Sequence, residues 1–175
     1  MKPQYLLFFS LAIASGCDST REQPVPQAFA DLEAAAEAIA TSHDLEVANA
    51  AAIQLYSGGV PAIDALRKHL HNERVIPSGF CTRALSSYDG LTMAEQTFWS
   101  IQDMIETGVP KMYGDTYAVL NRENVERWLD QRQGKSIAEL QFEAAKDACE
   151  RAEKNGDHDA AEVFRNRIRE LTDSQ

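Results

Sequence analysis

The sequence has no hydrophobic run long enough to cross a membrane. Its longest apolar stretch extends from Tyr5 to Ala14 and is interrupted only by a serine. A transmembrane helix needs about 20 consecutive apolar residues, roughly twice that length. The pattern therefore excludes a spanning helix here and favours another role for this stretch.

Positive charge is also scarce. The 175 residues include 17 lysines and arginines against 27 aspartates and glutamates, which gives a net charge of −10. A strongly acidic protein repels the phosphates of nucleic acids and anionic lipid surfaces. We therefore expect no nucleic-acid partner.

Recognisable catalytic and cofactor motifs are missing. The chain contains neither a G-x-S-x-G nucleophile motif nor a glycine-rich loop for phosphates or dinucleotides. Two metal ligands share a helix face when they are three or four residues apart. The four histidines lack that spacing; they are His43, His69, His71 and His158. The sequence thus predicts no metal and no cofactor, and it singles out no catalytic residue.

What the first 16 residues do contain is the layout of a secretory signal peptide. Lys2 supplies a positive charge, the apolar stretch follows, and small residues close the segment. We expect residues 1–16 to be removed during export. Because Lys2 is their only charged residue, the net charge then changes from −10 to −11.

The residues that end this segment, Ala14-Ser15-Gly16-Cys17, resemble the lipobox of bacterial lipoproteins. In that family a diacylglycerol is attached to the cysteine thiol, and a dedicated peptidase cuts before the cysteine. The resemblance implies that Cys17 carries a lipid and anchors the protein to a membrane, facing the periplasm. Asp18 resembles an inner-membrane retention signal of enteric bacteria, and the choice of membrane stays open. The alternative is an ordinary signal peptide, with Cys17 as an unrelated thiol.

Two further cysteines, Cys81 and Cys149, lie in the predicted exported part. An oxidising compartment would allow them to form a disulfide. The bond would close a loop of about 68 residues and contribute ~4 kcal/mol by the chain-entropy estimate. The alternative is two separately buried thiols, each packed as a small apolar group.

The rest of the chain predicts helices. Residues 17–26 are polar, contain two prolines and indicate a short tether from the lipid. From residue 27 onward, apolar residues recur at steps of three and four. The predicted helices are 27–42, one that ends at Gly58, one that starts at Pro61, one between Thr92 and Gly108, one between Asn121 and Gly134, and the pair 136–155 and 158–172. A short helix near Ser78 to Leu85 is also suggested. We expect a single all-α domain, residues 27–175, of about seven helices in antiparallel pairs.

One stretch of this domain, residues 44–70, resembles a HEAT-type repeat. It pairs an alanine-rich helix with a glycine turn, a proline start and a second helix with regularly spaced leucines. The resemblance implies an α-solenoid fragment, in which helix pairs stack to bury a shared apolar face.

The segment 109–120, VPKMYGDTYAVL, joins two helices with clear caps and is rich in large side chains. Met112, Tyr113 and Tyr117 make it a candidate contact surface for a partner, because tyrosine combines a large apolar ring with a polar tip. The alternative is that the rings fill the groove between the flanking helices.

These observations leave two hypotheses about function. The first is a non-enzymatic lipoprotein that binds another envelope protein or acts as a scaffold. The second is an envelope hydrolase whose active site has no recognisable motif. A deep pocket with converging polar groups would favour the hydrolase, and a broad, shallow face would favour the binding protein.

Overall fold

The computed structural model describes residues 29–42, 44–76 and 90–173, and within these ranges it contains eight helices and no strand. The helices are α1 (Leu32–Thr41), α2 (Leu45–Ser57), α3 (Gly59–Arg67), α4 (Met93–Ile105), α5 (Lys111–Thr116), α6 (Val125–Asp130), α7 (Ile137–Lys154) and α8 (His158–Asp173). The prediction of an all-α fold is confirmed. None of these eight helices is both long and apolar enough to cross a membrane.

The predicted helix starts are largely confirmed. Asp44 caps α2 by accepting a hydrogen bond from the amide of Glu46 at 2.8 Å. Thr92 and Ser136 form reciprocal capping boxes at the starts of α4 and α7. Asp157 caps α8 by accepting from the amide of Ala160 at 3.0 Å. Each cap satisfies amides that have no partner inside the helix, which is why these residues mark the starts.

Three helices differ from the prediction. α1 begins five residues later than predicted because Asp31 caps it. α5 forms inside a segment predicted to be a loop. α6 begins at Val125 because the Asn121 carboxamide accepts from the amides of Glu123 and Asn124 and so holds a turn before the helix.

The sequence pattern placed Val47, Ala51 and Leu55 on the apolar stripe of α2, and Ala51 and Leu55 are buried as predicted. Val47 was expected in the core but is 39% exposed, whereas Ala48 is buried. The buried residues of α2 follow helical spacing and are Ala48, Ala51, Ala52 and Leu55. The alanine-rich face allows α1 to pack closely against it.

α1 and α2 run antiparallel, as do α7 and α8. The backbone of Phe29, just before α1, exchanges two hydrogen bonds with the Gln54 side chain near the end of α2, at 3.0 and 3.2 Å. α7 and α8 are joined by a three-residue turn that contains Gly156. The prediction of antiparallel pairs agrees with both arrangements.

α4 connects the two halves of the structure, because it contacts α3 on one side and α7 on the other. Ile101 and Ile105 are almost completely buried. Burying such a side chain contributes ~1.5–3 kcal/mol. One cluster of buried apolar side chains extends from Ala35 in α1 to Phe164 in α8 and passes through α4.

The chain before α4 satisfies the first amides of that helix. The carbonyl oxygens of Asn72 and Arg74 accept from the amides of Ala94 and Met93, each at 2.8 Å. An isolated β-bridge between Val75 and Thr92 continues this pairing. The short helix predicted near Ser78 to Leu85 lies outside the described residues.

Residues 117–120 form a loop after α5. The amides of Val119 and Leu120 donate to one carboxylate oxygen of Glu106, at 2.8 and 2.7 Å. This clamp fixes the loop that follows α5 against the end of α4.

Candidate functional site

A cleft of about 640 Å³ opens between the ends of α2, α3, α4, α5 and α7. We call it the α4–α5 cleft. Its volume lies within the range of about 300–1,000 Å³ that is common for ligand pockets. Its lining residues include Tyr56, Asp103, Glu106, Gly108, Gly114 and Gln141.

Gly108 shapes the cleft where the chain leaves α4. Its φ is +84°, in the left-handed region that residues with a side chain rarely adopt. A Cβ atom at this position would lie 2.6 Å from Cζ of Arg167. Glycine therefore permits both the sharp turn toward α5 and the close packing of the Arg167 side chain.

Gly114 leaves the α5 wall of the cleft bare. A Cβ atom built here meets no other atom within 4 Å, and the backbone has ordinary helical geometry. The lack of a side chain at this position keeps the cleft open beside α5. A larger residue at 114 would extend into space that is now vacant.

Several polar groups of the cleft hold the fold together. Glu106 clamps the 117–120 loop, as described above. The Gln141 carboxamide donates to the carbonyl oxygen of Met104 at 2.8 Å, which ties α7 to the last turn of α4. The Tyr56 hydroxyl donates to Asp103 at 3.3 Å and connects α2 to α4. These contacts give the cleft rigid walls.

The charged groups among the described lining residues of the cleft are carboxylates. Asp103, Glu106 and Asp115 line it. Within residues 29–42, 44–76 and 90–173, no three histidine, cysteine, aspartate or glutamate side chains come together in a way that could hold a metal ion. The described lining offers three carboxylates, hydrogen-bonding groups and apolar contact.

The three predicted contact residues are in different environments. Met112 is 69% exposed on α5. Tyr113 is partly buried and packs against the main core. Tyr117 is only 6% exposed, in agreement with the alternative that its ring fills a groove. A contact surface on this segment would therefore consist mainly of Met112 and the exposed part of Tyr113.

Tyr117 joins the end of α5 to the start of α8. Its ring meets Phe164 edge to face, with centroids 6.1 Å apart, and its hydroxyl donates to Asp157 at 2.7 Å. The hydrogen bond to Asp157 is the main reason that the pKa of Tyr117 is raised. The pKa of Asp157 is lowered, first by the amide of Ala160 and then by Tyr117.

Cys149 is buried on α7. Its thiol donates to the carbonyl oxygen of Ala161 at 3.6 Å. Burial raises the pKa of the thiol, and the Glu153 carboxylate raises it further. A neutral thiol is a poor nucleophile. Cys17 and Cys81 lie outside the described residues, so lipid attachment and a bond between Cys81 and Cys149 stay predictions.

The sequence did not predict the α4–α5 cleft, because its walls come from five helices spread over residues 56–141. One available signal was Tyr56, an aromatic residue that does not belong to the apolar stripe of its helix. The other was Gly114, a glycine that ends no helix. Comparison of the chain with protein-family models, with curated proteins and with solved structures finds no match.

Proposed function

We propose that this protein is an envelope lipoprotein, anchored to a membrane through a lipid on Cys17, whose helical domain binds another envelope protein at the α4–α5 cleft. The signal-peptide layout and the lipobox support the anchor. The cleft supports the binding function, because it is a large concave surface with walls fixed by side-chain hydrogen bonds. Rigid walls lower the entropy that a binding surface loses when a partner is bound.

The observation that carries the choice of a binding protein is the role of Glu106. Its carboxylate lies in the cleft but accepts two backbone amides of the 117–120 loop. A general acid has to exchange protons with a substrate. Glu106 instead holds structure, so the cleft resembles a docking surface more than an acid–base site.

The alternative, an envelope hydrolase, is favoured by the form of the site, which is a pocket with several polar groups rather than a broad, shallow face. Asp103, Glu106 and Asp115 line the same cleft, and pairs of carboxylates carry out acid–base hydrolysis in many enzymes. Loss of a hydrolytic activity in Asp103→Asn and Asp115→Asn variants would favour this alternative.

A HEAT-like architecture is part of the proposal. α2 and α3 are adjacent helices that meet at Gly58, where a Cβ atom would lie 2.8 Å from the Leu32 side chain of α1. Such close packing is what stacked helix pairs require. Helix-pair stacks present extended surfaces, which agrees with a role in protein binding.

Lipid attachment is tested by Cys17→Ser. We expect this variant to accumulate as an uncleaved precursor, because the cysteine is where the lipid is attached and the cut is made. The measurement is metabolic labelling with a fatty-acid analogue, followed by the mass of the mature N-terminus. Equal labelling of the wild-type protein and the variant would contradict the anchor.

Binding at the cleft is tested with the lipidated protein. Partners captured from detergent-solubilised envelopes are purified and added back, and hydrogen exchange is measured by mass spectrometry. We expect slower exchange in peptides from the end of α4 and from α5, with no change in peptides from α1, which does not line the cleft. Protection confined to helices away from the cleft would contradict the proposed binding surface.

A further inference from the structure

Among the described side chains of α2, three large apolar ones are exposed, and Ile53 is the most exposed of them. Ile53 is 70% exposed, whereas Val47 in the first turn and Tyr56 in the wall of the α4–α5 cleft are each 39% exposed. The first turn also carries two exposed acidic residues, Asp44 and Glu46. The apolar surface of α2 is therefore greatest near Ile53, away from these carboxylates, and we call this part the Ile53 end and define it by Ile53 and Gln54.

The chain from the predicted anchor enters the fold beside this apolar end. Phe29 is held by the two hydrogen bonds to Gln54, the residue next to Ile53. Eleven residues separate Cys17 from Phe29. Fully extended, they reach at most about 40 Å, and a flexible chain of this length keeps its ends much closer.

We propose that the Ile53 end of α2 rests on the lipid surface to which Cys17 is anchored. The inference relies on the lipid anchor of the proposed function. A short tether keeps its attachment point at high effective concentration near the membrane, and Gln54 makes the Ile53 end part of that attachment point. Insertion of the Ile53 side chain into the lipid interface removes apolar surface from water.

The charge of the protein selects the kind of lipid. The mature chain carries a net charge of −11, and Asp103 lies beside the Tyr56 hydroxyl. Carboxylates near the contact are repelled by anionic headgroups, an effect that salt weakens. The surface that fits the Ile53 end is thus a zwitterionic one, such as phosphatidylcholine or phosphatidylethanolamine.

The test places a tryptophan at the proposed contact in the full lipidated protein. Ile53→Trp is compared with Val75→Trp, because Val75 is also strongly exposed, at 59%. Val75 follows Arg74, which pairs with Glu37 in the second half of α1, away from Phe29. Both variants are reconstituted into phosphatidylcholine vesicles with and without bromine on the acyl chains, and the wild-type protein gives the emission of the native tryptophans.

We expect the brominated lipid to quench most of the emission added by Ile53→Trp and little of that added by Val75→Trp. Addition of anionic phosphatidylglycerol should weaken the quenching at position 53. Equal quenching at the two positions, or none at position 53, would overturn the contact and leave the anchor intact. The mass of the N-terminal peptide is measured on the same samples, and an unmodified Cys17 would overturn the anchor and this inference together.

Discussion

Gly108 and Gly114 lie on either side of Pro110, and the same substitution to alanine should change stability in opposite directions at the two positions. Gly108 has a φ of +84°, and an added Cβ would lie 2.6 Å from the Arg167 guanidinium carbon. Gly114 is in a helix, with nothing within 4 Å of an added Cβ. Because both substitutions add the same methyl group, a difference between the two variants reports the backbone conformation and the space available at each position.

The expected size of each effect follows from these geometries. The left-handed conformation costs an alanine at position 108 ~1–2 kcal/mol. The Arg167 side chain must also move away from its ion pair with Glu170, which adds about 0–1 kcal/mol for an exposed pair. At position 114, alanine should stabilise α5 by ~0.5–1 kcal/mol, because glycine loses more conformational entropy on folding.

The assay is thermal unfolding of both variants beside the wild-type protein. In a domain of this size each kcal/mol moves Tm by ~2–4 °C, so Gly108→Ala should lower Tm by about 2–12 °C and Gly114→Ala should raise it by about 1–4 °C. A neutral or stabilising Gly108→Ala would refute the turn geometry at the end of α4. A destabilising Gly114→Ala would refute the open wall of the cleft.

Two further predictions concern Tyr117. Tyr117→Ala should lower Tm strongly and Met112→Ala should leave it nearly unchanged, because Tyr117 is buried against Phe164 whereas Met112 is 69% exposed; similar Tm values for the two variants would contradict the assigned burial. Tyr117→Phe should be less stable than the wild-type protein by an amount that depends on pH. The pKa of Asp157 is lowered in the folded state. The stability that the ionised carboxylate contributes is therefore fully present above its usual pKa of 3.8 and is lost as the pH falls through the folded-state pKa. The pKa of Tyr117 is raised above its usual value of 10.0. The stability that the protonated hydroxyl contributes is therefore fully present below pH 10.0 and is lost as the pH rises through the folded-state pKa. The Tm values of the wild-type protein and Tyr117→Phe should therefore differ most between the pKa of Asp157 and that of Tyr117. A difference in Tm that does not change with pH would contradict the hydrogen bond.

The helices and their starts could be predicted from the sequence because their causes are local. Asp44, Thr92 and Ser136 each satisfy amides within three residues of themselves. Prediction from local sequence failed where a side chain distant in sequence binds the backbone amides. Residues 109–120 were predicted as a connecting segment, but they contain α5, and the amides of Val119 and Leu120 are bound by Glu106, 13 and 14 residues earlier in the chain.

The cleft is a second case in which distant residues decide the structure. Tyr56 and Gln141 are 85 positions apart in sequence and line the same cleft. Helical spacing indicates which face of a helix is buried, but not which other helix ends lie nearby. The burial of Tyr117 could not be predicted for the same reason, because its partners are distant in sequence. Asp157 lies just before α8 and Phe164 lies within it.

The central claim, that a partner protein binds in the α4–α5 cleft, is tested most directly by filling the cleft. Gly114→Trp adds an indole to the bare α5 wall without backbone strain, and Lys146→Trp adds the same group to an exposed position on α7. Both lipidated variants are compared with the wild-type protein for capture of the envelope partner, and Tm is measured on the same samples. We predict that Gly114→Trp loses capture, that Lys146→Trp keeps it, and that neither variant has a lower Tm than the wild-type protein. Wild-type capture by a stably folded Gly114→Trp would contradict the claim.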